Sequence, residues 1–225
     1  MTAAQKKAKK REYDMARNTV RRNDVRPAQI EETTTRYAPL QELPTTLNIP
    51  GPAHGLKIAV LADAQVKPGV SIDHLAAYGR YLAEIRPDVI LCIGDFADMG
   101  SLSTYDAAGS LAAEGQRYWN DIKAVRVGMT VFLAPIRRVK GWEPKLVMTL
   151  GNHEDRIARA VDANPRQLAG VMSLQNLGSE EDGWKVYPFL QPVTINGVVF
   201  CHYMPSGVMG RPITTAAALL RKMHM

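Results

Sequence analysis

Two spacings of apolar residues alternate along this chain, and together they predict a βαβ framework. The run Leu56-Lys57-Ile58-Ala59-Val60-Leu61-Ala62 is short and almost wholly apolar, as expected of a buried parallel strand, and it ends in Asp63-Ala64-Gln65. Ser71 or Asp73 then caps a helix through about Ile85, in which Leu75, Tyr78, Leu82 and Ile85 recur at the helical period. After Arg86-Pro87 comes a second strand, Asp88-Val89-Ile90-Leu91-Cys92-Ile93, running into Gly94-Asp95-Phe96-Ala97-Asp98. Residues 114–138 read as a helix with Tyr118, Ile122, Val125, Met129 and Phe132 on one stripe, which a core face explains. A third apolar run, Leu146-Val147-Met148-Thr149-Leu150, leads into Gly151-Asn152-His153-Glu154-Asp155-Arg156.

Beyond it, helical segments are expected near 156–161 and 165–177. Segments 184–190, 193–195 and 198–203 then read as antiparallel strands, the last two joined at Asn196-Gly197, a strong hairpin signal. The last of these closes on His202, and a final helix is expected over 212–222.

Charge divides the chain differently. Residues 1–28 carry nine Lys and Arg against three acids, a net of +6. The whole chain is also +6, so the remainder balances at 19 against 19. The organisation expected is therefore a basic arm over 1–28, a Pro/Thr-rich linker over 29–55 and one domain over 56–225. Residues 5–26 allow a short basic helix that Pro27 stops. Such an arm suits nucleic acid, whose phosphates it would neutralise, and a solvated tail explains it about as well.

Hydrophobic residues make up 46% of the chain, enough for a sizeable core, yet no apolar run approaches the ~20 residues of a membrane span. No apolar signal segment follows the basic N-terminus, so a soluble, cytoplasmic protein without membrane partners is expected. The only cysteines, Cys92 and Cys201, sit within apolar runs and read as buried thiols.

Candidate chemistry collects where the strands stop. Four strand ends present Asp63 and Gln65, Asp95 and Asp98, Asn152 and His153, and His202. In open α/β sheets ligands bind at the carboxyl ends of strands. Mixed carboxylate, amide and imidazole ligation suits Mn²⁺, Fe or Zn²⁺, and two such ions can clamp the oxygens of a phosphate. Glu154 and Asp155 suit supporting or helix-start positions, and Arg156 reads as a surface arginine in preference to a substrate contact. His54 and His74 read as ordinary surface or packing residues.

Asp63-x-Gln65, Gly94-Asp95-x-x-Asp98, Gly151-Asn152-His153-Glu154 and a strand ending at His202, in that order, resemble the calcineurin-like metallophosphoesterases. The flanking Gln65-Val66-Lys67-Pro68-Gly69 looks most like members carried by bacteriophages, which would place the protein in host cytoplasm. The resemblance implies an α/β sandwich of two mixed β-sheets flanked by helices, and two divalent metal ions. It makes Asp63 and Gln65 ligands of one metal, Asp95 the bridging carboxylate, and Asn152 and His202 ligands of the second. His153 would protonate the leaving oxygen of a phosphate mono- or diester, with Asp98 orienting its imidazole.

Three departures qualify the likeness. Gln65 stands where the family has His, and its amide oxygen favours Mn²⁺ or Mg²⁺ over Zn²⁺. Met99 replaces the Arg that protein phosphatases carry after the second Asp. No Gly-His-x-His motif follows His202, so either the 56–225 domain is C-terminally incomplete or His224, a partner subunit or water completes the ligand set. The rival reading is a phosphoesterase fold without catalysis, serving as a scaffold or nucleic-acid-binding protein.

Overall fold

The computed structural model describes residues 44–52, 55–104, 115–206 and 211–223. The basic arm with its expected helix, most of the 29–55 segment, His54 and His224 lie outside the described residues.

Strands β2 (Ile58–Leu61), β3 (Val89–Cys92), β4 (Lys145–Thr149) and β5 (Lys185–Tyr187) form a four-stranded sheet in that order, with every neighbour pair parallel. A three-stranded mixed sheet joins β1 (Thr46–Leu47), β6 (Val193–Ile195) and β7 (Val198–Phe200). In it β1 runs parallel to β6, and β6 antiparallel to β7. Helices α1 (Asp73–Ile85), α2 (Tyr118–Arg137) and α3 (Asp155–Ala163) follow β2, β3 and β4, and α4 (Pro165–Leu168) comes directly after α3, with 3₁₀ turns at Gly100–Leu102 and Leu174–Leu177. A small β8–β9 ribbon (Pro205–Ser206, Arg211–Pro212) precedes α5 (Ala216–Met223).

The continuous apolar runs are explained by a sheet covered on both faces. In β3, Ile90 and Cys92 join the core that holds Leu75, Leu82, Met129 and Phe132 of α1 and α2. Val89 and Leu91 point the other way, into a second core with Leu47, Val147, Tyr187, Val193 and Ile195. The period-2 alternation of the pleat thus feeds two cores from one strand, and nothing polar is tolerated on either side. The result is an α/β sandwich of sheets flanked by helices, as the sequence predicts.

Close packing of α1 on α2 depends on one small residue. A Cβ on Gly79 would run into the Phe132 carbonyl and lie 2.7 Å from Pro135 Cγ. The helices can therefore approach through backbone at this point, with Leu75 and Leu82 buried on either side.

Several local expectations change. The 184–190 segment pairs parallel with β4 instead of antiparallel, because α3, α4 and the following turns carry the chain back across the sheet before β5 begins. The 165–177 helix is one short α-helix and one 3₁₀ turn, interrupted at Gly170 with φ +79°. The final helix starts at Ala216, since Arg211–Pro212 are taken into the ribbon. The described end of the Pro/Thr-rich segment is built into the smaller sheet: Leu47 is buried, and Ile49 exchanges two hydrogen bonds with the Asn196 side chain.

Candidate metal centre

Register places the chemistry. Leu61 pairs with Cys92 and Cys92 with Met148, so the carboxyl ends of β2, β3 and β4 lie side by side. Their loops are knitted together by backbone bonds from Asp63 N–H to the Gly94 carbonyl (3.2 Å) and from Gln65 N–H to the Asp95 carbonyl (2.9 Å). Asp63, Gln65 and Asp95 all adopt left-handed backbone, with φ of 50°, 45° and 53°. Such conformations are uncommon for non-glycine residues and concentrate at functional sites.

Two glycines set the depth of the site. A Cβ on Gly94 would lie 2.6 Å from the Gly151 nitrogen and 2.9 Å from His202 Nδ1, and one on Gly151 would strike the Asp95 carboxylate. The first glycine of each loop thus lets two strand ends meet without side chains between them.

Asp63, Asp95 and His202 each offer a ligand atom, all within 4.8 Å of one another, a grouping able to hold a metal ion. His202 arrives from the loop after β7, in the other sheet. Its Nδ1 lies 2.9 Å from the Ile93 carbonyl. A carbonyl can only accept, so Nδ1 carries a proton, and a metal ion would be met by the lone pair of Nε2. That lone pair faces Asn152 Oδ1 at 2.9 Å and Asp95 Oδ2 at 3.5 Å. Oxygen and nitrogen acceptors converging in this way fit a divalent cation, and the Nδ1–H to carbonyl bond is the usual support for a ligating histidine. Asn152 therefore joins the three-residue group through His202. Gln65 is tied to it through its backbone, and its exposed side chain stands one turn of the loop from Asp63.

His153 lies beside this group. Its Nδ1 is 2.8 Å from the Asp98 carbonyl and 3.1 Å from Asp98 Oδ1, and its Nε2 is 3.7 Å from Asp95 Oδ2. The backbone N–H of His153 donates to Asp95 Oδ1 at 2.9 Å. Asp98 is a hub, with Lys67 Nζ 3.2 Å from its other oxygen.

Two further residues support the site, and one of them departs from its sequence reading. Arg156, expected at the surface, is largely buried: its NH1 donates to the Asp98 carbonyl at 2.9 Å, and its NH2 lies 3.3 Å from His153 Nε2. Glu154 is buried with its carboxylate accepting N–H groups from Asp95 (3.0 Å), Ala97 (2.8 Å) and Gly151 (2.8 Å). Burial pushes its carboxyl above the usual range, against the three N–H donors that favour the charge. Glu154 thus takes a supporting position, one of the two its sequence context suggests, whereas the inward turn of Arg156 depends on a loop distant in sequence. His74 is exposed on α1, as expected of an ordinary surface residue.

Among the described residues no helix is long and apolar enough to cross a membrane. Comparison with curated protein sequences gives no match. A scan against protein families matches residues 56–217 to the calcineurin-like phosphoesterases, a span that includes all the strand-end residues described above. With that match covering most of the chain, and the Asp63–Asp95–His202 group at its centre, the protein belongs to the calcineurin-like phosphoesterase family.

Proposed function

We propose that this protein is a metal-dependent hydrolase of phosphate mono- or diesters in which His153 is the general acid. The observation that carries the reading is the position of His153, held at Nδ1 by Asp98 while its Nε2 faces Asp95 at the edge of the ligand group. Asp63, Gln65, Asp95, Asn152 and His202 would hold two divalent ions, with Mn²⁺ favoured by the oxygen-rich set. When bound, such ions supply Lewis acidity toward phosphoryl oxygens and lower the pKa of water to near neutrality.

The protein's own groups then do the rest. The Asp98 carbonyl fixes the His153 proton on Nδ1, so a second proton on Nε2 makes an imidazolium, and the Asp98 carboxylate 3.1 Å away stabilises that charge. Nε2 is the atom that would hand its proton to the departing oxygen. Arg156 NH2 now lies 3.3 Å from Nε2, and in a substrate complex it would turn to a phosphate oxygen, freeing Nε2 to carry the proton. Glu154 holds the Asp95 and Gly151 backbones in place, so that the ligand group is set before substrate arrives. Nucleic acid is the proposed diester, a reading to which the basic character of residues 1–28 also lends support.

The test is metal content of the purified chain by elemental analysis, with hydrolysis of bis-p-nitrophenyl phosphate on the same samples with and without Mn²⁺. Bound metal, metal-dependent turnover and its loss in Asp95→Asn and His153→Asn are the expected results. Wild-type rates in either variant would remove the assignment.

A further inference from the structure

A cavity of about 420 Å³ opens directly beside the candidate centre, lined by Asp98 and Arg156 of the site, by Lys67, and by Arg117, Asn120 and Asp121 at the start of α2. It is within the usual size of a ligand pocket. Its two acids are already engaged: Asp98 by His153 and Lys67, and Asp121, which is buried, by the Ser101 N–H at 2.9 Å. With Lys67 paired to Asp98, Arg117 and Arg156 supply the remaining positive charge that an incoming anion would meet.

The cavity does not end there. A second hollow of about 320 Å³ shares Lys67, Pro68 and Asn120 with it, and continues to Lys123 and Val127. A third of about 500 Å³ shares Lys123 and Val127 with the second, and is closed by Trp119, Arg126 and Asn176. A continuous trough thus leaves the site and crosses the outward side of α2. Trp119, 55% exposed, lines the third hollow, braced edge-on by Tyr118 at 5.0 Å. Arg126 is met by Glu181 at 3.2 Å, and among the described residues Lys123 has no ion-pair partner.

Cations spaced along a groove and one exposed indole fit one chemistry well: a flexible polyanion carrying flat apolar rings. Each hollow carries a lysine or arginine, Lys67 and Arg117 in the first, Lys67 and Lys123 in the second, Lys123 and Arg126 in the third, which complements a chain of phosphates. We propose that the trough over α2 holds a single-stranded polynucleotide, its phosphates on Lys67, Arg117 and Lys123 and one base stacked on Trp119. The proposal rests on the phosphoester-hydrolase reading only for placing the scissile phosphate at His153.

The test uses the full chain loaded with Mn²⁺ and a fluorescein-labelled thymidine octamer, read by anisotropy, with tryptophan emission followed on an unlabelled octamer. Binding should quench tryptophan emission. Trp119→Ala should weaken binding about ten-fold and remove the quench, Trp119→Phe should stay within about three-fold of wild type, and Lys123→Glu should lower the salt slope by about one phosphate. Both side chains are exposed, so these variants should fold. Unchanged octamer affinity in Trp119→Ala and Lys123→Glu would overturn the proposal and move binding to residues 1–28, and failure to bind the octamer would overturn it outright. A dimer in sedimentation that Trp119→Ala abolishes, with octamer affinity unaltered, would assign the trough to a second copy of the chain instead. Absence of phosphoester turnover in the wild type would fail the hydrolase reading alone, since the affinities decide the trough by themselves.

Discussion

The carboxylate of Glu154 lies beneath the backbone of Asp95 and accepts its N–H at 3.0 Å, so a residue that touches no candidate ligand atom decides where the central carboxylate stands. The same oxygen accepts from Gly151, and its twin accepts from Ala97. In Glu154→Gln one of these acceptors becomes an amide donor facing a buried N–H. The expected loss is ~1–3 kcal/mol in urea unfolding, together with a ~10–100-fold fall in metal affinity. Wild-type values for both would show that the three N–H groups are held by other means.

Gly151 offers a separate handle on the same contact. A Cβ at this position would lie 2.5 Å from the Asp95 nitrogen and strike its carboxylate, and backbone cannot yield as a flexible side chain does. Gly151→Ala should therefore destabilise by more than ~2 kcal/mol and reduce metal uptake, whereas Gly141→Ala, where no atom lies near, should cost only the strain of its φ of +72°. Equal losses at the two positions would mean that packing against Asp95 is unimportant.

Asp98 separates orientation from charge. In Asp98→Asn the backbone carbonyl still holds His153 Nδ1 at 2.8 Å, so the ring keeps its place while its anionic partner is gone. Turnover should fall by ~10²-fold or more for diesters with poor leaving groups such as phenol, and markedly less for p-nitrophenol, which departs with little protonation. A loss independent of the leaving group would point to substrate binding as the role of Asp98.

Cys92 makes stability depend on alkaline pH. It is fully buried, and burial, followed by the nearby Glu154 charge, pushes its thiol far above the ordinary range. An acid with a raised folded pKa keeps its proton in the native state after the unfolded chain has released it. Its contribution is therefore fully present below about pH 8.5 and is lost at ~1.4 kcal/mol per unit as pH rises above that. Comparing urea unfolding of wild type and Cys92→Ala at pH ~9 and ~10.5, the wild type should lose ~2 kcal/mol more across the interval, whatever the constant cost of the truncation. Parallel profiles would show that the thiol ionises in place.

Much of this architecture is legible in the chain because its strands are local and uniform. Ile58–Leu61, Val89–Cys92 and Lys145–Thr149 are apolar runs ending in polar loops, and each becomes a strand of the parallel sheet. The direction of Lys185–Tyr187 is not legible, because three residues of suitable composition look alike in either sense and only the sheet edge they join decides it. Nor is the pairing of Thr46–Leu47 with Thr194–Ile195, since it depends on contacts between segments nearly 150 positions apart.

By itself the sequence determined which residues end the strands and therefore which groups are candidates: Asp63, Asp95, Asn152, His153 and His202. It did so because side-chain periodicity and loop chemistry are properties of neighbouring residues. Tertiary structure alone decided how they meet. It brought His202 from the second sheet onto Asp95 and Asn152, drew Arg156 inward to His153, and placed Glu154 under three N–H groups of two different loops. The physical reason is register: the pairing of β2, β3 and β4 aligns their ends in space, and no spacing along one chain encodes which end will lie beside which.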